Sequence, residues 1–393
     1  MLTGQKIIPS IGTPIELKDI LKGFCLKEAT ERFEEVIRKK TGRRYTLMTN
    51  SGTTAYFLIL KVLKRLSDRK EVLLPAYTAP SLTLPIKKAG LVPRFCDIDL
   101  KTFNMDIFAL NKVVGKDTLA ITPVHMFGLP TSFEHKDKGV FMIEDFASAL
   151  GSEIGGRPVG SFGDVGFVSF NRGKNLSTLT GGAIVTDRED IYKILLKEGE
   201  EYLKGPGLKL WMGIILKTIA LSLAVRPWFY TIFKEIISCF QYKELHTSFD
   251  TYGYTDFQAG LGLSIFKKAP YIFEQRYENG LYLHKRLSNV KGITLPAIPD
   301  GSTPVFNQFP LLIDEHSKRD ILYHALIEEG IEATTLYPEP VYRAYDTHPT
   351  SSGDMDPFPK ATYMSRRLLL IPTHPFVKED DLKKAVDIVL RHL

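Results

Sequence analysis

The apolar residues between Tyr45 and about Asp187 fall into short runs that alternate with stretches of helical periodicity. Buried parallel strands read as continuous apolar runs, and the helices that connect them lie between those runs. The pattern therefore predicts an α/β fold, with a mostly parallel central sheet covered by helices on both faces. The predicted strands are YTLM (45–48), EVLL (71–74), VPRFCDI (92–98), LAITPVH (119–125), VFMIED (140–145), VGFVSF (165–170) and AIVT (183–186). Connecting helices are predicted at Thr54–Leu66 and Ser81–Ala89.

The second part of the chain has a different order of elements. A long helical region (256–287) precedes a strand-like run, FNQFPLLI, and a helix at 318–329. A strand, LLLIP (368–372), and an amphipathic C-terminal helix follow. That helix carries Leu382, Val386, Val389 and Leu393 on one face. We expect a large domain at 1–245 and a smaller α+β domain at 246–393.

Residues 205–240 interrupt the pattern with two apolar helices split at Arg226-Pro227. One interpretation is a helical pair packed on the domain or at a subunit interface. The other is a monotopic hairpin that dips into a membrane, with Trp211 and Trp228 as interfacial anchors. A membrane-spanning segment is the least favoured interpretation, because Lys217 and Arg226 interrupt the apolar run.

Composition narrows the function classes. The chain has 393 residues, 44% of them hydrophobic and 24% charged, with a net charge of +6. Its basic residues are scattered, which disfavours nucleic-acid binding and fits small anionic ligands better. Cys25, Cys96 and Cys239 lie far apart without metal-ligand spacing, so we expect no metal site and a reducing cytoplasm. The N-terminal residues lack the layout of a signal peptide, and no Walker loop or GxGxxG motif follows a strand.

Lys174 is the strongest candidate for chemistry. It lies in a polar turn between the apolar strands 165–170 and 183–186, where an ammonium is costly and a covalent imine is not. Upstream, the strand VFMIED ends in Glu144-Asp145. Because both positions follow or end strands, we expect them at the same edge of the sheet. A carboxylate and a lysine in this order can hold the two ends of a pyridoxal ring.

A phosphate site is predicted at Thr49–Thr54 (TNSGTT), directly before an apolar helix. The backbone N–H groups at a helix start, the helix dipole and the hydroxyl groups suit a dianionic phosphate. An ordinary helix N-cap explains the same residues when they are taken alone. The combination with Asp145 and Lys174 favours the phosphate interpretation.

The chain resembles the DegT/StrS-type sugar aminotransferases, which are fold-type-I enzymes dependent on pyridoxal 5′-phosphate (PLP). The resemblance covers most of the sequence, and its most specific part is ED-x-A-x-x-x-G followed by SF-x-x-x-K within 143–187. Further matching segments are SGTTA (51–55), the run 73–106, TPVHMFG (122–128), TDFQAGLGL (255–263) and LLLIPTHP (368–375).

The resemblance implies a role for each matching residue. Lys174 would bind the cofactor's aldehyde and later move the proton between substrate carbon and cofactor. Asp145 would bind the pyridine nitrogen. Ser169, with the backbone of Gly52 and Thr53, would hold the phosphate. His125 would lie near the cofactor pocket, with a packed histidine as the alternative.

Several positions depart from the family pattern. Ser148 stands where the family has Gln or His contacting the cofactor's 3′-oxygen. Ala79 replaces the aromatic residue that stacks on the ring, so Tyr77 is the alternative cover. Thr180 replaces the Glu before the paired glycines, and Thr251 replaces an Asn that reaches the phosphate of the neighbouring subunit.

The implied activity is transfer of an amino group from an amino acid, expected to be L-glutamate, to a keto-sugar. That sugar would be linked to a nucleotide or a lipid and destined for a surface polysaccharide or similar glycoconjugate. A homodimer in the cytoplasm is expected, with peripheral membrane contact through 205–240 as an open alternative. The competing hypotheses are a non-catalytic scaffold at the membrane and another PLP reaction such as dehydration. Family members that dehydrate carry His in place of the lysine, and Lys174 disfavours that branch.

Overall fold

The computed structural model describes residues 6–25, 27–131, 133, 139–239, 247–345 and 356–393. In the helix that ends at Cys239, the side chains are described as far as Phe233. The predicted domain boundary at 245/246 and the last residue of the 205–240 hairpin lie outside these ranges. The strands are β1 (Tyr45–Thr49), β2 (Glu71–Pro75), β3 (Val92–Cys96), β4 (Ile98–Asp99), β5 (Asn104–Met105), β6 (Thr118–Ile121), β7 (Phe141–Asp145), β8 (Glu153–Ile154), β9 (Arg157–Pro158), β10 (Val165–Ser169), β11 (Gly182–Thr186), β12 (Ile293–Thr294), β13 (Ser302–Thr303), β14 (Gln308–Ile313) and β15 (Leu368–Pro372).

The α-helices of the described residues precede the first strand, lie between strands or follow the last strand. They are α1 (Leu17–Gly23), α2 (Ala29–Thr41), α3 (Gly52–Leu66), α4 (Thr83–Lys88), α5 (Ile107–Val113), α6 (Glu189–Tyr202), α7 (Leu208–Ala224), α8 (Pro227–Cys239), α9 (Asp256–Phe266), α10 (Ala269–Leu287), α11 (His316–Glu328), α12 (Val341–Ala344), α13 (Pro359–Arg367) and α14 (Glu379–His392). Two 3₁₀ turns lie at Pro80–Leu82 and Met126–Gly128.

The central sheet has seven strands in the order β1-β11-β10-β7-β6-β2-β3. Neighbours from β10 to β3 are parallel, and β11 runs antiparallel to both β1 and β10. All seven strands predicted from apolar runs are present, so the mostly parallel α/β fold is confirmed. Every residue of β6, β10 and β11 is buried, as expected for a sheet covered on both faces.

The smaller sheet, β12-β14-β15, is antiparallel, and it packs with α11 and α14. Leu382, Val386 and Val389 of α14 are buried in the core of this sheet, as their spacing predicts. The long helical region divides into α9 and α10, and the break lies directly before Pro270. Proline is favoured at a helix start and disfavoured inside a helix, which accounts for the division.

An N-terminal segment, residues 8–15, joins the two cores. Ile8 pairs with Ile331 and is buried with the smaller sheet, whereas Ile15 is buried with the large one. Between them, the Pro9 carbonyl contacts His374 Nε2 at 2.7 Å, and the Gly12 carbonyl accepts a hydrogen bond from Arg276 at 3.2 Å.

The apolar insertion forms two helices, α7 and α8, which break at Arg226-Pro227 as predicted. Among the described residues, no single helix is long and apolar enough to cross a membrane. The pair Leu208–Ala224 and Pro227–Phe233, bent by 102°, meets the length and composition criteria when its two halves are combined.

Candidate active site

The predicted site residues come together at the carboxyl end of two neighbouring parallel strands. Asp145 ends β7 and Ser169 ends β10, and Phe167 is in register with Asp145. Gly52, the first residue of α3, lies against Ser169. Parallel α/β sheets bind ligands at this edge, because the following loops and helix N-termini converge there.

Lys174 lies in the loop that joins β10 to the antiparallel strand β11. Hydrogen bonds from Phe170 N to Gly181 O and from Thr178 N to Phe170 O close the base of this loop. The Lys174 Nζ donates to Ser148 Oγ at 2.9 Å. Ser148 follows Asp145 by three residues, so the lysine reaches across the sheet edge to the turn that carries the aspartate.

The environments of Asp145 and Lys174 disfavour the charged form of each. Burial raises the pKa of Asp145 to about 6, despite a hydrogen bond from Ala147 N and the nearby charge of Lys174. Burial lowers the pKa of the Lys174 amine, although part of the residue is solvent accessible and Asp145 opposes the shift. A buried carboxylate beside a lysine amine of lowered pKa is characteristic of catalytic sites.

The start of α3 forms a close backbone surface beside Ser169. Ser51 is the N-cap and accepts a hydrogen bond from Thr54 N at 3.1 Å. The N–H groups of Gly52 and Thr53 lie in the first turn, where a helix supplies no acceptor. A Cβ at position 52 would stand 2.9 Å from Ser169 Cβ, so only glycine leaves this space open. Both the N-cap and the phosphate-site interpretations are therefore compatible with the geometry.

Thr251 lies on a segment that runs beside the same helix start. Asn50 Nδ2 and Thr54 Oγ1 donate to the carbonyl oxygen of Asp250 at 2.9 and 3.2 Å, and Tyr252 N donates to Asn50 Oδ1 at 3.4 Å. This segment is thus held next to the phosphate site of its own chain. Contact of Thr251 with a neighbouring subunit stays a prediction.

Both nitrogens of His125 have partners inside the protein. Thr131 N donates to His125 Nδ1 at 3.0 Å, so Nε2 carries the proton and donates to Glu144 Oε1 at 2.9 Å. This geometry favours the packed interpretation of His125. The side chain of His125 contacts Glu144, and its backbone N donates to Asp145 O at 2.9 Å. His125 therefore helps to hold the end of β7.

Glu144 is an anchor that the sequence analysis did not identify. Its carboxylate accepts from Gly160 N, Phe162 N and Gly163 N at 2.5, 2.7 and 3.1 Å, in addition to His125. Burial opposes its charge, but these hydrogen bonds outweigh burial and lower the pKa of Glu144. Glu144 thereby ties the end of β7 to the loop that precedes β10. An acidic residue inside an apolar strand was the available signal.

Two tyrosines lie near the predicted position of the cofactor ring. Tyr77 is fully buried and its hydroxyl donates to the carbonyl oxygen of Tyr337 at 3.3 Å. The two rings are 5.9 Å apart. Burial, together with the charge of Asp145, raises the pKa of Tyr337. Tyr337 was not predicted, because it lies far from Asp145 in the sequence; Tyr77 as the ring cover stays a prediction.

A family comparison accounts for this combination of fold and site. The model of the DegT/DnrJ/EryC1/StrS aminotransferase family matches residues 16–211 and 238–390. The chain belongs to this family. Its matched segments include every predicted site residue, and the unmatched interval, 212–237, falls within α7 and α8.

Individual relatives of this DegT/DnrJ/EryC1/StrS chain differ in their reactions. It is 28% identical to the dTDP-4-dehydro-2,3,6-trideoxy-D-glucose 4-aminotransferase of Saccharopolyspora spinosa, over 96% of this chain and 94% of the relative. It is 25% identical to the GDP-4-keto-6-deoxy-D-mannose 3-dehydratase of Yersinia pseudotuberculosis, over 93% and 92%. Among solved structures, the sugar aminotransferase CalS13 from Micromonospora echinospora has the same fold, with a TM-score of 0.76 at 21% identity and coverage of 98% and 100%.

Pyridoxal phosphate is the cofactor of this family, and the residues present fit it. Glycine at position 52 lets the start of α3 approach the Ser169 side chain closely, which brings the first-turn N–H groups and the Ser169 hydroxyl together as donors for a phosphate. At the other end, the buried Asp145 carboxylate suits a protonated pyridine nitrogen, and the Lys174 amine lies on the same side of the cleft. The chain is thus a PLP-dependent enzyme of an aminotransferase family.

Proposed function

We propose that this protein transfers the amino group of an amino acid, L-glutamate, to a keto-sugar that is linked to a nucleotide or a lipid. The product would enter a surface polysaccharide or similar glycoconjugate. The observation that carries the proposal is the position of the Lys174 amine, which donates a hydrogen bond to Ser148 Oγ and interacts electrostatically with Asp145. Relatives named for transamination of dehydro-sugars support the substrate class.

The roles of the side chains follow from their environments. Bound PLP supplies an electron sink and carries the amino group between two substrates. The lowered pKa of Lys174 increases the fraction of neutral amine, which is the form that acts as nucleophile and as general base. Asp145 would hold the proton on the ring nitrogen, and Ser148 would orient the Lys174 Nζ. Gly52, Thr53 and Ser169 would bind the phosphate.

We also propose that the protein works in the cytoplasm as a homodimer, against the cytoplasmic face of a membrane. Support for the homodimer comes from the family resemblance, in which the residue at the position of Thr251 reaches the phosphate of the neighbouring subunit. The division of the chain into domains at 1–245 and 246–393 belongs to the same proposal.

Replacing Lys174 with alanine should abolish turnover and the visible absorbance that PLP gives when it is bound to the protein. The reason is that no other amine would reach the cofactor's aldehyde from this loop. Absorbance spectra of the purified variant with added PLP, before and after glutamate, provide the measurement. Transamination retained by the variant would contradict the role assigned to Lys174, and Lys197→Ala on α6 is a suitable exposed control.

The substrate class is tested with a panel of nucleotide-linked keto-sugars and nitrogen-labelled glutamate, analysed by mass spectrometry. Incorporation of label into one sugar supports transamination. Loss of water from a sugar without incorporation would favour dehydration, and a protein that binds no PLP would favour the scaffold.

A further inference from the structure

Helix α7 has two apolar faces, of which the protein body covers one. Ile214, Thr218, Leu221 and Ser222 are buried, and Ile214 and Leu221 join the core around α2 and α9. On the other face, the residues at successive turns of the helix are exposed. They are Leu208, Met212, Leu216, Ile219 and Leu223. A helix of a soluble domain usually pairs one apolar stripe with a polar one, so the second stripe calls for a partner.

The helices on either side of α7 extend this exposed face. Leu17, Leu21 and Phe24, at helical spacing along and just beyond α1, are exposed, and the Phe24 ring meets the Trp211 ring at 6.4 Å. On α8, Trp228 and Ile232 are 73% and 61% exposed. We call the exposed apolar side chains of these three helices the apolar face. It comprises Leu17, Leu21, Phe24, Leu208, Met212, Leu216, Ile219, Leu223, Trp228 and Ile232.

Basic residues predominate in the hairpin. Residues 205–240 contain four basic residues and one acidic residue, Glu235. Lys209, Lys217 and Arg226 are exposed, and Lys209 and Lys217 lie beside the exposed stripe of α7. Apolar side chains flanked by lysines and accompanied by tryptophan are typical of helices that lie in the interface of an anionic bilayer. A protein partner with this complementarity would need an acidic apolar surface, whereas an anionic leaflet supplies both properties.

We propose that α7, α8 and the adjoining end of α1 dock this protein onto an anionic lipid surface. The family model matches the chain on both sides of 212–237 but not within it, so most of the hairpin departs in sequence from the family pattern. The helices lie along the bilayer surface, with the apolar face inserted and Lys209 and Lys217 at the phosphates. The inference concerns where the enzyme works and is independent of its sugar substrate.

The chain contains a built-in probe of this contact. Its two tryptophans, Trp211 and Trp228, both lie on the hairpin. Adding vesicles of phosphatidylcholine and phosphatidylglycerol to the PLP-loaded protein should shift tryptophan emission to shorter wavelength and carry the protein upward in flotation. The Trp211→Phe variant isolates the signal of the exposed Trp228. An emission spectrum unchanged by these vesicles, with no flotation, would overturn the proposal.

Substitutions identify the surface. Leu216→Glu combined with Ile219→Glu should weaken vesicle binding at least about tenfold, without changing the circular dichroism spectrum or PLP binding. Ile321→Glu is the matched control, because Ile321 is an exposed apolar residue (54%) on α11. Lys209→Glu with Lys217→Glu should abolish the preference for anionic over purely phosphatidylcholine vesicles. A different outcome would be that the wild type does not bind vesicles and that the Leu216→Glu, Ile219→Glu variant has a smaller number of subunits than the wild type. In that case the apolar face is a contact between copies of the chain, and the lipid proposal fails.

Discussion

At the scale of single residues, the site contains a carboxylate, Asp145, whose charged form is disfavoured by burial. Asp145 is buried at the end of β7 with a pKa near 6, well above that of an ordinary aspartate. A carboxylate desolvated in this way is costly for the folded chain and becomes favourable when a cationic partner arrives. The charged side chain of Asp145 therefore lowers the stability of the cofactor-free protein and favours binding of a cationic group of the cofactor.

Asp145→Asn should weaken PLP binding and stabilise the cofactor-free protein. The folded-state pKa (about 6) exceeds the ordinary value of 3.8, so the folded wild type loses stability as pH rises between these values. Asparagine lacks this dependence. We expect a gain of up to roughly 3 kcal/mol near pH 8 that falls to about half near pH 5.

The measurement is urea denaturation of the cofactor-free proteins at both pH values, followed by circular dichroism. A variant that is less stable than the wild type at the higher pH would contradict the desolvation argument. An equal difference at both pH values would show that Asp145 does not titrate in this range.

Gly52→Ala should reduce PLP affinity at least about tenfold, which is about 1.4 kcal/mol. The added methyl would contact Ser169 Cβ at 2.9 Å and occupy the space beside the first-turn N–H groups. Titration with PLP, followed by visible absorbance, measures the change. The control is Gly213→Ala in α7, where a Cβ meets nothing within 4 Å and should stabilise the helix by about 0.5–1 kcal/mol. Equal PLP affinities of the two variants would refute the phosphate site.

The sequence was sufficient to predict that Lys174 and Asp145 lie at one edge of the sheet, because a lysine and an acid at strand ends in an apolar context are rare and local signals; their roles stay predictions. The hydrogen bond from Lys174 to Ser148 was beyond its reach, since it depends on side-chain orientation across two loops. Tyr337 could not be found either. It lies in a connecting segment without periodicity, between α11 and α12, and only the tertiary fold packs this segment against the core of the large sheet.

At the scale of elements, apolar runs predicted the strands well because the central strands of the parallel part are largely buried on both faces, β6 and β10 at every residue. The same criterion missed the role of Glu144, which lies within such a run. Its partners, the N–H groups of residues 160–163, belong to a loop without periodicity. The order of the strands likewise depends on pairing between distant segments, which no single run records.

Glu144→Gln should destabilise the protein by at least about 2 kcal/mol, because a neutral amide would replace charge-assisted hydrogen bonds and place donors against backbone N–H groups. The folded pKa of Glu144 lies below the ordinary value of 4.5, so its contribution is present above that pH and is lost on acidification. The difference from wild type should therefore shrink as pH falls below about 4.5. Thermal unfolding over a pH series measures it.

The comparison for Glu144→Gln is Glu189→Gln, which removes an exposed pair with Lys193 on α6. Surface pairs contribute about 0–1 kcal/mol, so this variant should unfold close to the wild type. Equal effects of the two substitutions would mean that the loop before β10 does not depend on Glu144.

At the scale of the whole molecule, the chain combines the shared fold of its family with one surface hairpin whose sequence departs from the family pattern. The fold places the site where the large sheet ends, and the segment between α11 and α12 contributes Tyr337, which packs against the core of the large sheet. The hairpin follows α6 in the sequence and contains the interval that the family model does not match. The large sheet has its seven strands in one continuous order, and none of them belongs to the hairpin.

The N-terminal segment gives the molecule a mechanical link. Ile8 is fixed in one core and Ile15 in the other, and between them Thr13 Oγ1 donates to the Lys174 carbonyl oxygen at 3.5 Å. Seven residue steps extend to at most about 25 Å, which limits how far the two cores can separate. We therefore expect any movement of the smaller sheet away from the large one to pull, through Thr13, on the main chain at Lys174, which links the separation of the two cores to the position of this loop.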